Sequence, residues 1–261
     1  MKIVYITHDN NVTTTKNGYT GVIKKVISQI SELRALGMES ELLILNENLP
    51  ESLPKEIDIR FKKAKAAPYK NFWEKIRSSS DIAQTIGEEI KSSGRDTVLY
   101  IRGNLPTPKM VRILRKQRKC RVIFELQSFA EREAALRGSW ETVLAMKLFN
   151  GKVLRYADGI VGVTNEIALH YFKMSKRRDL PYLVNGNGID VNSVPIRTPP
   201  PFDGKNLDLL CLAQVAKWHG LDRLIKGMAE YKGDVNVRLH IVGDGSEVPN
   251  LKRLVADLKL E

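Results

Sequence analysis

The chain has 261 residues, 43% of them hydrophobic and 28% charged, a balance that builds a folded core and excludes wholesale disorder. Lysine and arginine number 42 against 30 acids, a formal charge of +12 that calls for anionic neighbours: phosphorylated substrates, an acidic membrane surface or nucleic acid. Two cysteines, Cys120 and Cys211, exclude a disulfide framework and a multi-cysteine zinc site.

The opening Lys2–Thr7 reads as a strand, and its apolar run is too short for a secretory signal or a membrane span. Residues 19–36 form a helix, with Val22, Val26, Ile30 and Leu33 at helical spacing and Gly37 as its stop. Strands follow at 41–45 and 57–61, a helix at 70–93, a strand at 97–101, a helix at 108–119 and a strand at 121–126. Residues 131–156 read as helix, broken near Gly138 or Gly151, and strands at 159–163 and 182–184 close this half.

Four prolines between Val194 and Pro201 fit neither a helix nor a central strand and mark a linker or surface crossover. Beyond it the alternation resumes: strand 208–214, helix 220–231, strand 235–242, helix 247–258. Strands alternating with helices imply parallel sheets with helices on both faces. The expected fold class is α/β, with two doubly wound Rossmann-like domains: residues 1–192, a linker at 193–205, and a second, partial domain at 206–261.

Three loops sit where strands hand over to helices, the usual ligand position in such sheets. The first ends Asn17-Gly18-Tyr19-Thr20-Gly21; Gly18 and Gly21 would let backbone amides approach a phosphate, or would serve a plain turn. The second, Gly243-Asp244-Gly245, lacks the third glycine of the dinucleotide fingerprint and, taken alone, reads better as an ordinary strand–helix turn than as a nucleotide site. The third, Lys217-Trp218-His219-Gly220, offers two cationic side chains for a diphosphate, or is a surface loop over a packed tryptophan. The run from Lys109 to Arg121 holds seven basic residues and no acid. Arg112, Arg115, Lys116, Arg118 and Lys119 are there candidates to face anionic lipid, against a plain solvated helix face. No phosphate loop of the ATPase kind, no His-Glu-x-x-His, no Gly-x-Ser-x-Gly and no Asp-x-Asp pair occurs, and no metal site is expected.

In order along the chain, these segments resemble glycosyltransferase family 4, of the two-domain GT-B fold, and within it the bacterial members that build capsular or exported polysaccharides. The likeness is carried by Asn17-Gly18 with Gly21 to Lys25, Leu99 to Arg102, Phe124-Glu125-Leu126-Gln127 with Glu133, Asn187 to Asp190, Trp218-His219-Gly220-Leu221-Asp222-Arg223, and Val242 to Gly245. It implies retaining transfer of a sugar from a UDP- or GDP-sugar to a saccharide or lipid-linked acceptor, without a bound metal or cofactor. It places the site between an acceptor-side domain and a nucleotide-sugar domain. Gly18, Gly21, Lys217, His219, Gly243 and Gly245 would then bind the donor diphosphate and nucleotide, with Gln127 and Glu125 as candidates near the chemistry.

The sequence also departs from the family. Gln214 and His219 stand where many members carry arginine and lysine, and Gln127 stands where many carry histidine. The chain stops before the family's Glu-x7-Glu segment, so the expectation is a shortened, catalytically incomplete transferase. The alternative is a non-catalytic or partner-dependent binding subunit. The expected location is the cytoplasm, extending to peripheral contact with the inner membrane face.

Overall fold

Runs rich in β-branched and aliphatic residues can bury both faces only if helices cover both sides of the sheet. The computed structural model shows this arrangement; it describes residues 1–8, 21–47, 57–65, 70–116, 118–188, 191, 194, 196, 198 and 201–260. The chain divides into two units, one formed by residues 1–135 and 139–194 and the other by residues 136–138 and 195–261.

Among the described residues, the first unit carries seven parallel strands: β1 (Lys2–Thr7), β2 (Glu39–Asn46), β3 (Asp58–Lys63), β4 (Thr97–Arg102), β5 (Arg121–Leu126), β6 (Gly159–Gly162) and β7 (Tyr182–Val184). Their order is β3-β2-β1-β4-β5-β6-β7. From β1 the chain winds outward through β2 and β3, then returns to β4 and winds the other way. The reversal between β1 and β4 is a topological switch point. In register, Thr7 pairs with Arg102 across that point, and Arg102 pairs with Glu125 on the next strand.

Among the described residues, six helices accompany this sheet: α1 (Gly21–Ala35), α2 (Phe72–Ser92), α3 (Pro108–Arg115), α4 (Ala130–Leu136), α5 (Trp140–Arg155) and α6 (Asn165–Ser175). Residues of α2, α3, α5 and α6 join the larger core, with Val4, Ile6, Leu99, Ile101, Val122 and Phe124 from the strands. On the opposite face α1 contributes Ile23, Val26 and Ile30 against Tyr5, Leu42 and Ile44. The alternation along β1 follows from the strand period of two: Val4 and Ile6 point to one layer, Tyr5 to the other.

The sequence-level elements correspond to the observed ones with three differences. Helix α3 ends at Arg115, because Lys116 is extended (ψ 148°) and Arg118 Nη2 is drawn to Asp158 Oδ2 at 2.6 Å. The expected helix 131–156 is two helices, parted at Gly138 (φ +72°). Gly151 stays helical and serves packing instead: a Cβ there would lie 2.5 Å from the Met174 carbonyl oxygen on α6. Helix α6 itself was not among the expected elements. Its signal is local, since the Thr164 side chain accepts from the Ile167 amide and Ile167, Ala168 and Tyr171 form its buried stripe.

The second unit holds β8 (Asn206–Leu212) and β9 (Asn236–Val242), paired in parallel, with α7 (Leu221–Glu230) and α8 (Val248–Asp257). Val215, Leu221, Ile225 and Leu251 form its small core. On the strand face turned from that core, Asp208 Oδ1 lies 2.9 Å from His240 Nε2 and 2.9 Å from Arg238 Nε. His240 therefore belongs to a surface ion cluster.

Candidate functional site

At the switch point of the first unit, three strand ends bring five polar side chains together, and α1 adds Lys25 and Gln29. Period-two alternation sends Tyr5, Thr7, Tyr100, Arg102 and Glu125 to the α1 side of the sheet, whereas their neighbours Ile6, Ile101 and Phe124 enter the larger core. Glu125 is fully buried. Its Oε1 accepts from Lys25 Nζ at 2.9 Å and from Arg102 Nη1 at 3.0 Å. Its Oε2 accepts from the Tyr5 hydroxyl. Gln29 lies 3.1 Å from the same phenol oxygen. A phenol has one proton, so with that proton on Glu125 the Gln29 amide takes the donor orientation.

Burial, and then the Glu125 charge, push Tyr5 far above the usual phenol range, against a smaller opposite pull from Arg102. Tyr100 is raised by the same two causes in the same order, and its ring lies 4.9 Å from that of Tyr5. Both phenols are neutral donors. Among the described residues, Lys25 and Arg102 thus share a single carboxylate, one more cation than anion in this buried cluster. Lys25 also donates to Asn187 Oδ1 at 3.0 Å, in the exposed segment after β7. Among the described residues, Thr7 Oγ1 and Arg102 Nε are buried without a hydrogen-bond partner.

The sequence candidates fall around this cluster as follows. Glu125, a candidate for the chemistry, is fully buried and accepts from both Lys25 and Arg102. Gln127 Nε2 donates to the Glu125 carbonyl at 2.7 Å. The Gly103 amide donates to that same oxygen at 2.7 Å, and Gly103 takes φ +80°, the turn that ends β4. Gly18 lies outside the described residues, and Gly21 opens α1. Lys25, Arg102 and Tyr5 appeared in the sequence only as strand and helix residues or as part of a resemblance. For Tyr5 and Arg102 the signal was a hydroxyl or charged side chain inside an otherwise apolar strand; Lys25, on α1, carried none of that kind.

In the second unit, Lys217–His219 form a single 3-10 turn just before α7. The Ala216 amide donates to His219 Nδ1 at 3.3 Å, which fixes the ring with its proton on Nε2 and that edge outward. Lys217 and His219 are exposed. Gly220 takes φ +65° and turns the chain into the helix. The two glycines after β9 have a packing cause. A Cβ on Gly243 would lie 1.9 Å from the Ala213 carbonyl oxygen, and one on Gly245 would lie 2.1 Å from that of Val215. The Val215 amide donates to the Asp244 carbonyl at 2.9 Å, so backbone pairing continues past the strand ends. The glycine spacing is thus already required by the turn itself.

Of the basic residues after Pro108, Arg112, Arg115, Lys116 and Lys119 are exposed. Arg118 is not available to a membrane: it donates to the Leu114 carbonyl at 2.8 Å, the Tyr156 carbonyl at 2.5 Å and Asp158 at 2.6 Å. Among the described residues, no group of three metal-ligating side chains occurs, and no helix is long and apolar enough to cross a membrane.

No protein-family model matches the sequence, and no curated protein matches it. Solved structures do. The apo form of the lipopolysaccharide outer core galactosyltransferase WaaB aligns with 100% of this chain and 66% of its own, at TM-score 0.63 and 16% identity. Anabaena Alr3699/HepE, solved with UDP and glucose, aligns with 100% of this chain and 67% of its own, at TM-score 0.57 and 16% identity. The N-terminal domain of Candida albicans trehalose-6-phosphate phosphatase aligns at TM-score 0.58 and 12% identity, over 98% of this chain and 68% of its own. The fold is α/β, of the GT-B Rossmann-like class. This chain spans about two thirds of the length of these structures. At such identities the likeness is one of fold, and a phosphatase domain shares it with a galactosyltransferase.

Proposed function

We propose that the protein acts in nucleotide-sugar-dependent glycosyl transfer, moving a hexose from a UDP- or GDP-sugar to a saccharide or lipid-linked saccharide during polysaccharide assembly, with retention at the anomeric carbon. The observation that carries this reading is the Lys25–Glu125–Arg102 cluster at the β1/β4 switch point, where doubly wound sheets bind their ligands. Its spare positive charge suits an anionic or polyhydroxylated partner. In the second unit, the Lys217 ammonium and the outward His219 Nε2–H suit a leaving diphosphate, whose charge grows as the sugar–phosphate bond breaks. The acceptor oxygen forms the new glycosidic bond and passes its proton to the departing diphosphate. Peripheral contact with an anionic membrane face, where lipid-linked acceptors reside, belongs to the same reading.

Calorimetric titration with UDP and GDP, followed by transfer assays with labelled UDP- and GDP-hexoses, tests it. Saturable binding of one nucleotide is expected, weakened roughly tenfold or more by Lys217→Ala, the loss of one charge-assisted contact worth about 1.5–3 kcal/mol. Absence of binding to either nucleotide refutes the reading.

A further inference from the structure

Five large apolar side chains stand in solvent on one end of one helical layer. On α5, Trp140 is 67% exposed, Leu144 57% and Leu148 48%. Their spacing of four residues puts them in a single stripe about 12 Å long. On α2, Trp73 is 75% exposed and Ile76 44%. The two groups are neighbours, because Lys75 on α2 reaches Ser139 and Thr142 at the start of α5. None of the five belongs to either core of the first unit.

The charge around the stripe selects its partner. The exposed residues flanking it on α5 are Lys147, Lys152 and Arg155, against the one acid Glu141. Helix α3 packs beside both α2 and α5, and its exposed Arg112 and Arg115 add two cations and no acid. Tryptophan with aliphatic neighbours, rimmed by lysine and arginine, is the composition of a surface that sits in a lipid headgroup layer. An anionic bilayer satisfies both parts of this surface, its headgroups taking the cations and its acyl layer the leucines and tryptophans.

We infer that Trp73, Ile76, Trp140, Leu144 and Leu148 form a docking surface for an anionic lipid bilayer, with the surrounding lysines and arginines on the headgroups. The anchor is the α2/α5 stripe, and the basic helix α3 supplies attraction without insertion. The inference extends the membrane part of the function proposed above and needs no donor sugar. Vesicle binding without transfer upholds it alone, and transfer without vesicle binding sinks it alone.

The full chain is sedimented with vesicles of phosphatidylglycerol and phosphatidylcholine, and with vesicles of phosphatidylcholine only. Binding at least tenfold stronger to the anionic vesicles is expected, with a blue shift of tryptophan emission. The triple variant W140S/L144S/L148S, checked for an unchanged far-ultraviolet spectrum and melting point, should lose at least nine tenths of that binding. Should the triple variant misfold, a W73F/W218F protein leaves Trp140 as its one tryptophan, and brominated lipid should quench it. Wild-type protein that stays in the supernatant overturns the inference, as do equal binding to both vesicle types and an unquenched Trp140. A triple variant that binds vesicles like wild type but dissolves a wild-type dimer assigns the stripe to a second copy instead, and also overturns it.

Discussion

Lys25 Nζ lies 2.9 Å from Glu125 Oε1, although the two residues are 100 positions apart in sequence. The pair, with Arg102 and Tyr5, joins α1 to the ends of β1, β4 and β5. Removing the carboxylate leaves two cations facing each other in a buried space. Glu125→Ala should cost about 3–5 kcal/mol. In a unit of this size that lowers the melting point by about 2–4 °C per kcal/mol, read by circular dichroism. Replacing Arg102 as well, by methionine, should recover part of the loss; a double variant as unstable as the sum of the singles would refute the pairing.

Tyr5 and Tyr100 should stay protonated far into alkali, since burial and the Glu125 charge both oppose ionisation. In a spectrophotometric titration near 295 nm, Tyr5→Phe and Tyr100→Phe should leave the phenolate signal below pH ~11 unchanged, because neither ring contributes to it in the folded protein. Tyr5→Phe should also cost about 1.5–3 kcal/mol, the worth of a hydrogen bond to a charged group. A drop in the low-pH phenolate amplitude in either variant would contradict the assignment.

Glu89 sets an acid limit to stability. Burial pushes its carboxyl up, but Arg60 (Nη1 at 3.0 Å, Nη2 at 2.9 Å) and Lys62 outweigh this and hold it below the usual carboxylate range. A carboxylate lowered in the folded state stabilises above its unfolded pKa, and that contribution is lost as pH falls through the folded one. Denaturant unfolding followed from pH 7 downward should therefore show stability falling below pH ~4.5. Glu89→Gln should remove part of that slope and cost about 1.5–3 kcal/mol at pH 7. An unchanged slope would show that other carboxylates set the limit.

The glycines of the second unit divide sharply. Gly243→Ala places a methyl group against the Ala213 carbonyl and should open the β8/β9 turn. Hydrogen exchange at Val215 and Glu247, whose amides pair across that turn, should speed up by roughly tenfold or more, as for a loss of about 1.4 kcal/mol or greater. Gly227, exposed in α7 with no atom near its would-be Cβ, should gain about 0.5–1 kcal/mol on replacement by alanine. Equal effects at the two positions would refute the packing account.

The sequence by itself determined the alternation of strands and helices and most element boundaries. These follow from local physics: side-chain period, glycine stops and proline's missing donor act within a few residues. Helix α6 was equally local, and its Thr164 cap with Ile167, Ala168 and Tyr171 was legible. Glu125 and Gly245 could be picked out as unusual residues, but their roles could not. The tertiary structure alone decided that Glu125 is buried between Lys25 and Arg102, that Arg118 turns inward to Asp158, and that Gly243 and Gly245 answer to neighbouring carbonyls. It alone also showed which apolar side chains on α2 and α5 stand exposed. Each of these depends on which strands lie side by side and which helix covers them. Contacts between residues tens of positions apart are set by the winding of the sheet, and no pattern confined to one segment carries that information.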